Sequence, residues 1–205
     1  METGRGRLKF WLVVVLFGAG VWWLFFHEPS RSRPPGVLCA RDPLQGPLIA
    51  NPEPRWRLAG WTLTPLASYS IRARVLSTRR YRYDATATIA PVDLALGWGR
   101  MSDSRVLDKI SVSQRGRWYD FSFSDEVIPS AEMELCSANT HILPADDTVR
   151  ETVLRVIRGD VVKLDGWLVE CVPPGGGGSW RSSLTRMDTG AGACEVMFVE
   201  KASIE

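Results

Sequence analysis

The sequence predicts an α+β fold, mainly antiparallel β: a small curved sheet or OB-like open barrel with one main helix, preceded by an N-terminal transmembrane helix. Three observations carry this. Residues 10–26 are uncharged and mostly apolar, most later apolar segments alternate with period 2, and one stretch, PADDTVRETVLRVIRGD, has helical period.

The apolar run, Phe10 to Phe26, is 17 residues long. At about 1.5 Å per residue it is at the short end of what crosses a bilayer core. Trp11 near one end and Trp22 and Trp23 near the other suit the two interfacial belts. Arg5, Arg7 and Lys9 would also suit a secretory signal, but the chain continues FFHEPSRSRPP, without a small-residue cleavage pattern. The expectation is an uncleaved anchor over 10–27, with residues 1–9 cytoplasmic and the rest periplasmic: a single-pass protein of a bacterial inner membrane. Residues 28–56 hold seven prolines, which fix φ and withhold N–H donors, so an extended tether is expected there. The exported domain is then 57–205.

Within that domain, YSIRARVLSTRRYRYDATATI alternates cleanly, predicting two strands joined near Ser77–Arg79 with Arg72, Arg74, Arg80 and Arg82 on one solvent face. PVDLALGWGRMSD reads as a helical turn followed by a Gly-Trp-Gly loop. KISVSQRGRWYDFSF is a hairpin around Arg115-Gly116, with Ile110, Val112, Tyr119, Phe121 and Phe123 facing inward. Asp146 or Asp147 caps the main helix, Val149, Val153, Leu154, Val156 and Ile157 form its buried stripe, and Gly159 stops it. VVKLDGWLVECV and EVMFVEKA are the last strands, with Gly166 marking a bulge or bend.

Four cysteines, Cys39, Cys136, Cys171 and Cys194, form no C-x-x-C pair, which speaks against zinc and thioredoxin-like chemistry. In an oxidising compartment a Cys171–Cys194 disulfide is expected, because the two flank a Gly-rich loop between strands. Residues 31–205 carry 22 basic and 21 acidic side chains, too little excess for a domain built mainly to grip nucleic acid. No metal or cofactor motif is present.

The candidate catalytic residues are His141, the one histidine of the exported part, with Asp188, Glu195 and Ser183. Cys136 and Asn139 near His141 are the residue types of cysteine-nucleophile catalysis, at a local spacing that carries little weight. The candidate ligand contacts are Trp98 and Trp180 in glycine-flanked loops, Arg181 and Arg186 beside the hydroxyl-rich SSLT, and the four hairpin arginines.

PVDLALGWGRMSD with SVSQRGRWY, SANTHILPA and WRSSLTRMDTGAGACEV resemble segments of a set of single-span bacterial envelope proteins. The resemblance covers about Ala67 to Val199 and implies family membership without an activity. The leading expectation is a membrane-anchored periplasmic binding or assembly module, not an enzyme, whose partner is an envelope protein or a polyanionic ligand. The alternatives are an envelope hydrolase using His141 and an OB-like domain that binds polyanions or nucleic acid.

Overall fold

The 20 residues from Trp61 to Arg80 form a single strand, β3, around which the sheet is organised. The structure, a computed structural model, describes residues 11, 12, 14, 15, 17, 18, 29–185 and 193–205. The first part of β3 pairs antiparallel with β8 (Val161–Val172), from Thr62↔Val172 to Arg74↔Val161. Its last part pairs antiparallel with β4 (Val92–Gly97), from Arg74↔Gly97 to Arg80↔Val92. β4 pairs with β7 (Ser137–Pro144), β7 runs parallel to β10 (Glu195–Ile204), and β10 pairs antiparallel with β8. The hydrogen-bonded circuit therefore closes on β3. Short strands β1 (Leu44–Gln45) and β2 (Trp56–Leu58) add to β3, and β9 (Trp180–Arg181) adds to β8. A separate hairpin joins β5 (Ile110–Arg115) and β6 (Trp118–Phe123).

Closure needs curvature. Register shifts between Pro65 and Ala67 and between Val75 and Ser77 insert an extra residue each time, and such bulges bend and twist a strand. A third shift, between Val199 and Lys201, lies opposite the Asp165–Gly166 step, where a bend is expected from sequence. There a Cβ on Gly166 would lie 2.0 Å from the Phe198 carbonyl oxygen, so only glycine fits.

The closed sheet encloses one core, to which Ile71, Val75, Leu94, Ile142, Leu164 and Met197 contribute. The helix α3 (Asp147–Arg155) packs on it through Val149 and Val153, and its N-cap Asp146 accepts from the Val149 N–H at 2.8 Å. A second core lies outside the sheet. Leu76 and Ala95 meet Ile110 and Val112 of the hairpin, together with residues near the short helices α1 (Ser104–Leu107) and α2 (Ser130–Leu135). Gly116 and Arg117 turn the hairpin with φ of 60° and 71°, the two positive values a two-residue turn of this kind requires.

Three expectations need correction. β3 does not turn at Ser77–Arg79; that segment has no Gly, Pro, Asn or Asp, the bulge at Leu76 carries the strand onward, and the turn comes at 81–91. Residues 92–97 are a strand and not a helical turn, since a run buried on both faces shows no alternation to read. The proline-rich segment is not a free tether, because the compact unit starts at Arg31. The Arg31 N–H donates to the Arg158 carbonyl, and its guanidinium meets Asp160, 1% exposed, at 2.6 Å. Leu38 and Cys39 donate to the Ser102 hydroxyl, and Gly46 and Ile49 donate to the Ser68 and Leu66 carbonyls. Residues 31–49 are a strap along the sheet.

The six described residues of the apolar run are helical and exposed. Among the described residues, no helix is long and apolar enough to cross a membrane.

Replacing Gly166 with Ala is expected to lower stability by about 2–3 kcal/mol, as an overpacked site does, read as a lower urea midpoint. An unchanged midpoint would show that the β8–β10 contact does not depend on the missing Cβ.

Candidate functional site

Alternation along β4 and β7 sends Leu94 and Ile142 into the enclosed core and Asp93, Asn139 and His141 to the outer face. Asp93 and His141 are directly opposed in the β4–β7 register. The outer face is covered, so these groups are buried: Asp93 is 0% exposed and His141 3%.

A buried carboxylate needs partners, and Arg117 at the hairpin tip is the main one. Its Nη1 donates to Asp93 Oδ1 at 2.7 Å, and its Nη2 donates to Asp84 at 2.8 Å and to the Ala90 carbonyl at 3.0 Å. The guanidinium carbon lies 3.6 Å from the centre of the Tyr81 ring, a cation–π contact, and the Arg117 N–H donates to the Tyr81 hydroxyl. The Arg117 carbonyl accepts from Asn139 Nδ2, and Asn139 Oδ1 accepts from Gln114 Nε2. His141 Nδ1 lies 2.9 Å from Asp93 Oδ1, within ion-pair range but outside hydrogen-bond geometry. Asp93 Oδ2, Gln114 Oε1 and Arg117 Nε are buried and have no hydrogen-bond partner among the described residues.

The segment after the four glycines forms the roof. Trp180, in register with Cys171, sets its ring 4.7 Å from the His141 ring. Ser182 and Ser183 tie the roof down: their N–H groups donate to the Val169 and Cys194 carbonyls, and the Ser182 hydroxyl accepts from the Val196 N–H. The site is thus a polar seam between the 81–91 turn, the hairpin tip and the segment from Trp180 onward.

The structure distributes the sequence candidates unevenly. His141 and Trp180 enter the seam. Ser183 and Glu195 are buried near it, but the Ser183 hydroxyl donates to the Thr185 carbonyl and the register sets Glu195 beside Thr140. Asp188 and Arg186 lie outside the described residues. Trp98 is not an exposed ligand contact. It is 1% exposed in the enclosed core, because Gly97 and Gly99 let the chain turn it inward, with Gly99 at φ 51° against the Cys136 sulfur.

The arginine patch does not assemble either. Arg72 pairs with Glu205, Arg74 is buried on Ser102 and Ser104, Arg80 donates to the Leu154 carbonyl, and Arg82 lies beyond the strand. Arg181 pairs with Glu170 on the open side of β9. Sequence reasoning missed Asp93, Arg117, Tyr81 and Asp84. A lone acid within VDLALG was the available signal, since an ionisable group in so apolar a strand must be paired.

All four cysteines are free thiols, so the expected Cys171–Cys194 bridge is absent from the structure. The two occupy different environments: Cys171 packs with Leu63 and Leu143, whereas Cys194 Sγ faces Asn139 Nδ2 at 3.7 Å. Burial pushes the Cys194 thiol up to about 11 and the Cys171 thiol up to about 12. Cys136 caps the end of α2 just before β7 and lies five residues, about 16 Å of extended chain, from His141, too far for a thiolate–imidazole pair. Among the described residues no three His, Cys, Asp or Glu side chains stand close enough to hold a metal.

Comparison of the chain with protein-family models, curated proteins and solved structures finds no match in any of the three.

Two measurements check this geometry. Arg117→Ala is expected to destabilise the protein by about 3–5 kcal/mol in urea unfolding, because Asp93 then keeps its burial and loses its cation. A loss below about 1 kcal/mol would mean that the pair is solvated. Cys194 is expected to resist iodoacetamide at pH 8 in the folded protein and to react on unfolding, since a thiol with its pKa near 11 is protonated at that pH. Rapid native alkylation would overturn the raised thiol pKa of this half-buried residue.

Proposed function

We propose that the protein is a membrane-anchored binding module of the bacterial envelope, with an OB-like barrel as its periplasmic domain and, as its binding face, the surface that the 81–91 turn, the hairpin tip and Trp180 form over the buried β4–β7 seam. The observation that carries the proposal is the coincidence of circuit and seam. Numbered along the barrel, the circuit β3–β4–β7–β10–β8–β3 is 1-2-3-5-4-1, with strands 3 and 5 parallel and the helix between strands 3 and 4. That arrangement supports the OB-like reading. Barrels of this kind take ligands on the outer face of strands 2 and 3, between the loops that follow strands 1 and 4. Here that face holds Asp93, Asn139 and His141, and those loops supply Tyr81, Asp84 and Trp180. The assignment of function from fold is by analogy; the residues give it content.

Binding suits the seam better than catalysis. Asp93 lies within ion-pair range of His141 but outside hydrogen-bond geometry, and no described hydroxyl or thiol donates to the imidazole. The Cys194 thiol is held protonated. The near-neutral charge and the dispersed arginines favour a protein or glycan partner over nucleic acid.

A C-terminal alkaline phosphatase fusion is expected to be active, and an inactive fusion would defeat export. A photo-crosslinking residue at position 180 of the full chain in its native membrane is expected to give a discrete adduct that His141→Ala abolishes without unfolding the domain. An adduct pattern indifferent to His141→Ala would remove the seam from the binding face.

A further inference from the structure

The strap presents a row of apolar side chains to solvent. Leu44 is 74% exposed, Leu48 60% and Ile49 36%. They lie along the outer side of β3, where Leu44 is opposite Ser70 and the Ile49 N–H bonds to the Leu66 carbonyl. Leu44 separates two grooves of ≈ 610 and ≈ 450 Å³; Arg41 and Lys163 line the first and Trp167 the second. Beside Trp167, the Arg55 guanidinium lies 4.8 Å from the Trp56 ring and 5.1 Å from the Trp167 ring.

Exposed leucines, half-buried indoles and basic side chains at the edges of one surface are the composition of an interfacial membrane contact. Acids stand nearby as well: Asp165 accepts from the Ser70 hydroxyl and lies 3.8 Å from Lys163 Nζ, Glu200 accepts from the Trp167 indole, and Asp42 lies on the rim of the larger groove. The covalent chain limits the geometry further. Five peptide steps separate Phe26, the end of the apolar run, from Arg31, the first residue of the compact unit, a reach of about 17 Å.

We propose that the strap surface centred on Leu44 and Leu48, with Arg41, Arg55 and Lys163 at its edges, rests on the anionic phospholipid headgroups of the membrane that holds the N-terminal segment. This rests on the anchored reading given above. It adds a lipid-binding surface, distinct from the seam, that lays the barrel on its β3–β8 side. The leucines enter the headgroup–acyl boundary, Arg41 and Arg55 meet lipid phosphates, and Lys163 exchanges its Asp165 partner for one.

The test uses the full chain in vesicles of phosphatidylethanolamine and phosphatidylglycerol, with a small environment-sensitive fluorescent amino acid at position 48. A second sample carries it at position 83, where Tyr83 is 95% exposed. Brominated acyl chains are expected to quench position 48 by about twofold or more and to leave position 83 nearly unchanged, since only groups at the acyl boundary meet bromine. Leu44→Ser with Lys163→Gln is expected to halve that quenching roughly, as is replacement of phosphatidylglycerol by phosphatidylcholine. Equal emission at 48 and 83 overturns the surface, as does a position-48 signal that follows protein density and not lipid, which would place a second copy there. Carbonate extraction separates the two proposals. A chain that stays in the membrane with position 48 unquenched defeats the surface alone, whereas a chain that is released yet quenched at 48 defeats the anchor and keeps the surface.

Discussion

The double pairing of β3 is the constraint on which the fold depends. One 20-residue strand serves β8 with its first part and β4 with its last, and at Arg74 it is in register with both. Nothing local brings β4 and β8 together; they are joined only because β3 bends enough to meet each. The two bulges in β3 and the missing Cβ at Gly166 are what that bend requires. Once β3 closes the circuit, β10 has one place left, between β8 and β7, and it enters parallel to β7 because α3 and β8 have already reversed the chain.

Closure also explains the buried charge. β4 and β7 have the enclosed core on one side and the hairpin, the 81–91 turn and the Trp180 segment on the other, so every residue of both strands is buried. A carboxylate there has no water to turn to. Arg117 brings a cation to it from the hairpin tip, at a position with φ 71° that a non-glycine residue takes only with support. The Tyr81 ring, Asp84 and the Ala90 carbonyl provide that support from the 81–91 turn, and Asn139 provides it from β7. Breaking a buried pair of this kind costs far more than forming it gains, so Asp93 and Arg117 specify where the hairpin tip sits more than they stabilise the fold.

What could be read from the sequence follows the same logic. Elements with one wet face were legible: the hairpin at Arg115-Gly116, the helix capped by Asp146, and the strands beginning at Val161 and Glu195. Elements dry on both faces were not, which is why VDLALG passed for a helical turn and SANTHILP was assigned to no element. Proline content suggested a tether, but a proline-rich chain can lie on a sheet edge through the N–H groups of its other residues, as Leu38, Gly46 and Ile49 show. His141 and Trp180 were named from their residue types. Asp93 and Arg117, the groups that hold the seam together, are far apart in sequence and meet only because β4 and the hairpin tip share one face.

The circuit also decides how two surfaces on one small barrel can act together. The seam lies on the β4–β7 pair and the strap on the β3–β8 pair, and in the order β3–β4–β7–β10–β8 these pairs share no strand. Trp180 bridges the two pairs: β9 pairs with β8, and the indole packs on the same cluster as Trp56 and Trp167 while its ring meets His141 of β7. Residues 180–185 link the seam to β8: Trp180 covers His141, and the Ser182 N–H donates to the Val169 carbonyl of β8. A hydroxyl-rich segment that looked catalytic in isolation thus has a mechanical role: it holds an aromatic roof to β8.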